Sequence, residues 1–322
     1  VGGGTQLGDS TWLRMDVNQY GSDGYVDRMD PESTNVTASA LWQATDDFDV
    51  EFQVDYLDDS LADYWGTPLV PRGSAVSPLS DVVLTSTGET VDEQARFRNF
   101  NVRDSRAVSD QLLFRVDLSW RLSDDIELKN TTYSFNADRD WGNAEGYVYC
   151  TAVVDVCTET DVIQRYYGYF FVTHDQDLLG NRLTANINSQ IAGRENRFLA
   201  GVELTNLDFS RARGFRRNIP LVAGDSVNPI APVPGNYGSR ELRGISPTKI
   251  DTRAVFFEDA LDLTDRVTVV AALRYEELDL VRQNFNATGT IEASSFARDF
   301  DWVSWRLGVV ARLTDDISAY GQ

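Results

Sequence analysis

The sequence is poor in the residue types that most often carry catalysis or bind metal ions. Its 322 residues include one histidine, His174, and two cysteines, Cys150 and Cys157. This set and its spacing do not match the four-ligand zinc sites that cysteine and histidine build. No serine–histidine–aspartate set and no glycine-rich phosphate loop stands out. We therefore expect no catalytic residues, no metal site and no resident cofactor, and we interpret His174 as a structural wall or loop residue.

Basic residues are scarce as well. The chain has 29 lysines and arginines against 50 aspartates and glutamates, which gives a formal net charge of −21 and a pI of about 4.3. Nucleic-acid binding depends on basic side chains that neutralise phosphates, so this balance excludes a nucleic-acid partner. An acidic surface of this kind is compatible with an exported protein.

Long apolar runs are also absent. The longest apolar stretches are VVAAL (269–273) and YGYFFV (167–172), whereas a membrane-spanning helix needs about 20 predominantly apolar residues. If this chain crosses a membrane, we expect it to cross with β-strands.

The sequence does contain a regular alternation of apolar and polar side chains. In 112–122 the apolar positions hold leucine, phenylalanine, valine and tryptophan, and arginine, aspartate and serine lie between them. Segments 48–56, 183–191 and 267–275 follow the same two-residue period. This period predicts β-strands with one apolar and one polar face, and no helical period of comparable length competes with it. The predicted fold class is all-β.

The connections between these segments are of two kinds, and the two kinds alternate along the chain. The short ones have similar sequences, in which aspartate follows serine or threonine, a combination that tight turns favour. They are ATDDF (44–48), LSDDI (122–126), LTDRV (263–267) and LTDDI (313–317). The long ones are polar and cover about 58–108, 137–165, 208–252 and 279–303. Short turns at one end and long loops at the other are typical of an antiparallel transmembrane β-barrel, with its turns in the periplasm and its loops outside the cell. The repeated aspartate pairs are interpreted as turn residues.

The spacing of the aromatic residues along the strands matches the thickness of a membrane. Trp42, Phe48 and Trp120 lie near the short turns, and a second group that includes Tyr56 and Tyr275 lies about nine residues further along. Nine residues that rise about 3.3 Å each at a tilt of about 40° span roughly 23 Å, close to the band of about 25 Å between the aromatic girdles of outer-membrane barrels.

Segment 137–192 leaves the number of strands open. Strand 126–136 leaves the short-turn side and strand 182–192 returns to it, so 165–171 belongs to the same returning strand or to an extra pair of strands. We favour one long strand with a kink near Gly180. On this interpretation the chain contains about ten strands, and it ends just after a turn.

The two cysteines lie in CTAVVDVC with six residues between them. We predict that Cys150 and Cys157 form a disulfide that closes one loop in an oxidising compartment, with two free thiols as the alternative.

Several stretches resemble the barrel of TonB-dependent outer-membrane receptors, in particular the ferric-siderophore branch. They are GYVDR (24–28), ALWQATDDFDVEFQVDYLDDS (40–60), NRFLAGVELT (196–205), NPIAPVPGNYG (228–238), AVFFEDALDLTDRVTVVAALRYEELDL (254–280) and WRLGVVARLTDDISAYGQ (305–322). Such receptors have barrels of about 22 strands and an N-terminal plug that begins with the segment that contacts the TonB complex. The resemblance implies that 1–322 is one partial barrel, with the plug and the C-terminal strands absent. It also implies a place in the bacterial outer membrane, in contact with lipid and lipopolysaccharide.

The resemblance further implies uptake of a ferric siderophore, with iron only as transported cargo. In this family the substrate binds in an extracellular vestibule of aromatic and polar side chains. The matching candidates in the long connections are Tyr64, Trp65, Trp141, Tyr147, Phe215, Arg216, Arg217 and Tyr237. The arginine-rich segment SRARGFRRN (210–218) could attract an anionic chelate, because arginine presents planar donors to carboxylate or catecholate oxygens. The alternative is that these arginines pair with acidic neighbours or with lipopolysaccharide phosphates.

Other functions stay open at this point. The same architecture could import a vitamin, an oligosaccharide or haem, although one histidine offers few axial ligands for haem. An outer-membrane enzyme would need a histidine at the mouth of the barrel, paired with aspartate or serine. A passive porin would need no plug. We expect a receptor and not an enzyme.

Overall fold

The computed structural model describes residues 1–61, 63–154, 156–216 and 225–322 and consists almost entirely of β-strands. In chain order the strands are β1 Gly2–Leu7, β2 Thr11–Gly21, β3 Glu32–Thr45, β4 Phe48–Ser60, β5 Val70–Pro71, β6 Glu89–Thr90, β7 Arg106–Ser123, β8 Ile126–Cys150, β9 Val162–Ile191, β10 Arg194–Arg216, β11 Ser226–Val227, β12 Arg240–Thr264, β13 Val267–Arg282, β14 Phe285–Asn286, β15 Phe296–Arg312 and β16 Ser318–Gly321. Among the described residues, one 3-10 turn, Glu93–Ala95, follows β6. Within the described ranges, no helix has the length and apolar character needed to span a membrane.

The main sheet follows the chain with simple up-and-down connections. Twelve strands lie side by side in the order β1-β2-β3-β4-β7-β8-β9-β10-β12-β13-β15-β16, and every neighbouring pair is antiparallel. The short strands β11 and β14 pair with β9 and β12, and β5 and β6 form a separate hairpin. The predicted all-β antiparallel fold is confirmed, with twelve strands in the wall where the sequence analysis counted about ten.

Strand register places the alternating side chains on two different faces of the wall. Val50 pairs with Leu118 and Phe52 with Val116, while Glu51 pairs with Asp117. Because neighbouring partners point to the same side of a sheet, apolar residues accumulate on one face and charged residues on the other. We call these the apolar face and the polar face.

The band of apolar side chains has a limited height. On β10 the apolar face carries Phe198, Ala200, Val202 and Leu204, and the next residue on that face is Asn206. On β9 the exposed apolar residues of this face reach Leu179, and Asp177 and Asp175 follow toward the loops, before the buried Phe171 and Tyr169. The strand segments beyond this band, on the side away from the short turns, are called the loop end.

Each of the four short turns contains the same kind of hydrogen bond, which explains their similar sequences. The hydroxyl of Thr45, Ser123, Thr264 or Thr314 accepts from the backbone N–H two residues later, at 3.2 to 3.3 Å. Such bonds stabilise tight turns locally. The predicted role of these segments in turns is confirmed. A fifth hairpin, between β9 and β10, instead places Ala192 and Gly193 at φ values of 53° and 75°, as the primed hairpin turns require.

Several strands continue well above the apolar band. Segment 162–191 is the single strand β9, so the prediction of one long returning strand is confirmed, whereas the register gives no sign of the kink predicted near Gly180. The pairing is regular through Gly180, and the register shift lies instead between Ala144 and Gly146. Gly180 has a different role, because an added Cβ would lie 2.2 Å from the ring of Tyr133.

The limits predicted for two long loops are corrected. The region 137–165 is largely strand, since β8 continues to Cys150 and β9 begins at Val162. Likewise β10 reaches Arg216 and β12 begins at Arg240, which shortens the predicted 208–252 loop. Above the apolar band both faces can be polar, so polar composition alone does not separate strand from loop there.

The remaining connections pack onto the upper strands. Two buried clusters hold them there. The first contains Val70, Ala95, Phe100, Ile163 and Val227, and the second contains Val102, Ala144, Tyr169, Phe171 and Tyr237. The buried Arg165 links three parts of the chain, because its guanidinium donates to the carbonyl oxygens of Phe100 (2.6 Å) and Val233 (3.0 Å). Cys150 and Cys157 form a disulfide bond at the far end of β8, with their Cα atoms 5.6 Å apart.

Candidate functional site

An aromatic cleft opens at the loop end of the wall. The Trp141 side chain contacts Trp65 edge-to-face at 5.3 Å between ring centroids and Phe170 at 4.6 Å. The cleft has a volume of about 480 Å³ and is lined by Trp141, Val172, His174 and Arg139, by the acidic residues Asp59 and Asp140, by Leu61 and by residues of β7. We call this the aromatic cleft. The ring of Trp141, with charged groups of both signs around it, can hold a ring-bearing organic ligand.

A row of three basic side chains crosses the polar face beside this cleft. Strand register pairs Arg139 of β8 with His174 of β9 and His174 with Arg211 of β10. Burial first, and then the charges of Arg139 and Arg211, lower the pKa of His174. His174 also packs against the ring of Phe209, with centroids 5.2 Å apart. The row joins the aromatic cleft to a second cavity.

This second cavity is lined by four arginines. Arg211 and Arg213 come from β10, Arg243 from β12 and Arg282 from β13, around a volume of about 230 Å³. The remaining lining is mostly polar, and its acidic residue is Glu292. We call this the arginine pocket. Burial, followed by the charges of Arg282 and Arg213, lowers the pKa of Arg211, as expected where like charges are crowded together.

The arginines of the pocket have fewer acidic partners than those lower on the wall. There, Arg274 pairs with Glu203 at 3.0 Å and Arg306 with Glu258 at 2.6 Å. Among the described residues, the pocket has one ion pair, Arg243 with Glu241 at 3.4 Å.

Neutral groups provide little further compensation in the arginine pocket. Arg282 Nε donates to the side-chain oxygen of Asn284 at 3.1 Å. The buried Nε of Arg211 has no hydrogen-bond partner within the described part of the chain. The pocket therefore carries surplus positive charge in a chain of net charge −21.

The structure brings some of the sequence-predicted site residues to these two cavities. Trp141 lines the aromatic cleft, and Trp65 packs against its ring without belonging to the lining. Phe215 lies beside the arginine pocket, with the guanidinium of Arg243 5.8 Å from its ring centroid. Tyr64 lies apart from both linings: its hydroxyl bonds to that of Thr67 at 2.8 Å.

Three other candidates are covered by the packed connections, two of them at the upper ends of β8 and β10. Arg216 makes a bidentate ion pair with Asp225, at 2.7 and 2.6 Å, and its guanidinium lies 3.7 Å from the ring centroid of Tyr169. Tyr237 is buried in the second loop cluster, and Tyr147 packs against the first. Arg217 lies outside the described residues. Burial first, and then the negative charge of Asp225, raise the pKa of the Tyr169 phenol.

The sequence analysis did not single out the arginines that line the pocket. Arg211 and Arg213 were visible as part of the arginine-rich segment, but Arg243 and Arg282 are distant in sequence. The alternation along β10 predicts that Arg211 and Arg213 lie on the polar face, because they have the same parity as Glu203. No group of three or more histidine, cysteine, aspartate or glutamate side chains is arranged to bind a metal ion within the described ranges.

Comparison with known proteins gives one family and several structures. Residues 37–322 match the model of the TonB dependent receptor-like β-barrel. No curated protein sequence matches the chain.

The similar solved structures include three receptors. The open form of the ferric-catecholate import receptor Fiu from E. coli K12 has a TM-score of 0.78 at 15% identity, over 98% of this chain and 50% of that one. The siderophore receptor PiuA from Acinetobacter baumannii gives 0.73 at 12%, over 99% and 46%. FpvA from P. aeruginosa, bound to heterologous pyoverdines, gives 0.72 at 11%, over 97% and 37%. The chain thus spans half or less of these proteins, and at such identities the likeness establishes the fold.

Proposed function

Because this chain belongs to the TonB-dependent receptor β-barrel family, we propose that it forms part of the wall and vestibule of a receptor that imports a ferric siderophore. The barrel segment lies in the outer membrane of a bacterium, as this family does, with its apolar face toward lipid and its polar face toward the lumen. The family and the structural neighbours are receptors and importers and not enzymes. Iron enters the proposal as cargo within the chelate, and no resident cofactor is needed.

The observation that supports this proposal is the pairing of the aromatic cleft with the arginine pocket on the lumen side. Both lie beyond the apolar band, at the loop end where a ligand from outside the cell arrives first. An iron chelate with aromatic or carboxylate arms presents flat rings and anionic oxygens. Trp141 offers contact area to the rings, and the arginines offer planar donors to the oxygens.

In the proposed mechanism the loop-end residues bind the chelate outside the membrane. A plug domain in the lumen senses the occupied vestibule, and contact with the TonB complex through an N-terminal segment supplies energy that displaces the plug. Lipid and lipopolysaccharide surround the apolar face. This chain contributes the wall and the first binding contacts.

The test is iron uptake by cells that carry or lack the gene for the intact receptor. Iron-starved cells are given radioactive iron as a tris-catecholate, a hydroxycarboxylate or a tris-hydroxamate chelate. We expect deletion of the gene to abolish uptake of at least one chelate, and inactivation of TonB to have the same effect. Unchanged uptake of every chelate would overturn the proposal and favour another substrate class, such as a vitamin or an oligosaccharide.

A matched pair of variants links uptake to the aromatic cleft. Trp141→Ala removes the central ring of the cleft, and we expect affinity for the transported chelate to fall by at least about tenfold, as truncation of a buried aromatic contact does. Phe97→Ala removes an exposed aromatic side chain of the first long connection outside the cleft and should leave uptake unchanged. If the two variants had equal effects on uptake, the cleft would be excluded as part of the binding site.

A further inference from the structure

The positive charge of the arginine pocket indicates the charge of the chelate that it can bind. Four guanidinium groups from three neighbouring strands line one small cavity, with Glu292 as its acidic lining residue. Holding like charges together is unfavourable unless a counter-charge binds. Elsewhere on the lumen side the chain provides such counter-charges itself, as with Glu203 at Arg274 and Glu258 at Arg306. In the pocket it provides one, at Arg243.

The hydrogen-bonding capacity of the pocket is also unfilled. Arg211 is partly buried, and its Nε–H has no acceptor among the described residues. Arg213 is exposed to the cavity and makes no ion pair within the same ranges. Each guanidinium has five N–H donors in a planar fork that suits two oxygens of one anionic group. The unfilled donors therefore match a ligand with several anionic oxygens.

The position of the pocket connects it to the aromatic cleft. His174 lines the cleft and is the cross-strand partner of Arg211, which lines the pocket. Cross-strand partners lie about 5 Å apart, so one ligand can reach both cavities. The cavity of about 230 Å³ is about half the volume of the cleft at about 480 Å³, which suits one anionic arm of a larger chelate.

We infer that the arginine pocket binds anionic arms of the chelate, so that the transported ferric chelate is a polyanion of the catecholate or carboxylate class. This inference rests on the proposed function, because it assumes that the cavities serve ligand capture. A neutral hydroxamate chelate would leave the arginines without a counter-charge. The paired Arg216 plays no part in this recognition, since Asp225 already occupies its guanidinium.

The experiment measures the affinity of the purified intact receptor for a trianionic ferric tris-catecholate and a neutral ferric tris-hydroxamate. The variants are Arg213→Gln and Arg282→Gln, alone and together. The matched control is Arg306→Gln, a lumen-side arginine that lies outside the pocket and pairs with Glu258. We expect the wild type to bind the tris-catecholate more tightly. Each pocket variant should weaken that binding by about tenfold, as expected for a lost charge-assisted hydrogen bond, and the control variant should not.

A second measurement does not depend on the variants. The affinity of the wild type for the tris-catecholate should fall as ionic strength rises, because salt screens the attraction between exposed charges. Equal affinity for both chelates, or pocket variants that behave like Arg306→Gln, would overturn the inference and leave the proposed function in place. If neither these chelates nor a ferric hydroxycarboxylate binds, the proposed function fails and the inference fails with it.

Discussion

Replacement of Asp225 by asparagine tests how strongly one buried ion pair holds the long connections onto the wall. The carboxylate of Asp225 accepts two hydrogen bonds from Arg216. The side chain of Asp225 is 3% exposed and that of Arg216 is 7% exposed. The Tyr169 hydroxyl donates to the same carboxylate at 2.8 Å. Asparagine keeps the volume but leaves the buried guanidinium without its negative partner. Loss of one partner of a buried pair costs about 3–5 kcal/mol.

This cost should appear as local opening, because the pair lies in the connections and not in the membrane-spanning strands. Each 1.4 kcal/mol corresponds to about tenfold in an equilibrium, so opening should increase by about a hundredfold to a few thousandfold. The backbone N–H of Arg165 donates to the Asp225 carbonyl at 2.8 Å and reports on this opening. Hydrogen exchange of the intact receptor should therefore be much faster at Arg165, while amides of β13 stay as protected as in the wild type.

A double variant separates the charge from the packing. Arg216→Met with Asp225→Leu removes both charges and keeps apolar volume, so it should open the connections less than Asp225→Asn alone. The reasoning is refuted if Asp225→Asn exchanges at Arg165 as slowly as the wild type. It is also refuted if the double variant opens more than the single one.

Two further predictions concern the same end of the wall. Replacing Cys150 and Cys157 by serine removes a crosslink between residues seven positions apart. In the chain-entropy model, closing such a loop stabilises the folded state by about 2–3 kcal/mol. Protease should therefore cut this loop faster on whole cells that carry the variant, and an unchanged cutting rate would contradict this. His174 has a pKa below its ordinary value of about 6.5, so the folded state takes up a proton less readily than the unfolded state. Its contribution to stability is fully present above about pH 6.5 and is lost as the pH falls toward the lowered pKa. Thermal unfolding between about pH 7 and about pH 5 should show a smaller loss of stability in His174→Gln than in the wild type, and parallel curves would exclude this role.

The wall could be predicted from the sequence because its physical cause is local. Phe114, Val116 and Leu118 alternate with Arg115, Asp117 and Ser119, and this alternation holds wherever one face meets an apolar environment. The turns are equally local, since Thr45 or Thr264 bonds a backbone N–H only two residues away. Patterns over two to ten residues were therefore sufficient for the fold.

The upper part of the wall could not be predicted in the same way. Above the apolar band, Asp138 and Asp175 are cross-strand partners on the face that carries Leu128 and Ala185 lower down. The alternation that reveals a strand disappears there, although the backbone ladder continues. This is why β8 and β12 were longer than the sequence indicated.

The candidate site depends on contacts that no short pattern contains. Arg211 and Arg282 lie 71 positions apart in the chain and meet because β10, β12 and β13 are neighbours in the sheet. Trp65 and Trp141 are likewise distant in sequence, and their identification came from their aromatic chemistry in long connections. Arg216 had the right chemistry for a ligand contact, but its pairing with Asp225 depends on how the third connection folds back.

The great length of β9 has a consequence for what meets this protein first at the cell surface. Seventeen of its residues, 162–178, lie beyond Leu179, where the apolar band ends. At about 3.3 Å per residue and a tilt of about 40° they climb roughly 40 Å away from the lipid. The disulfide-closed tip between β8 and β9 thus projects far from the bilayer. If this end faces outside the cell, as in the proposed function, its exposed Val153 and Val154 are within reach of large particles before the membrane surface is.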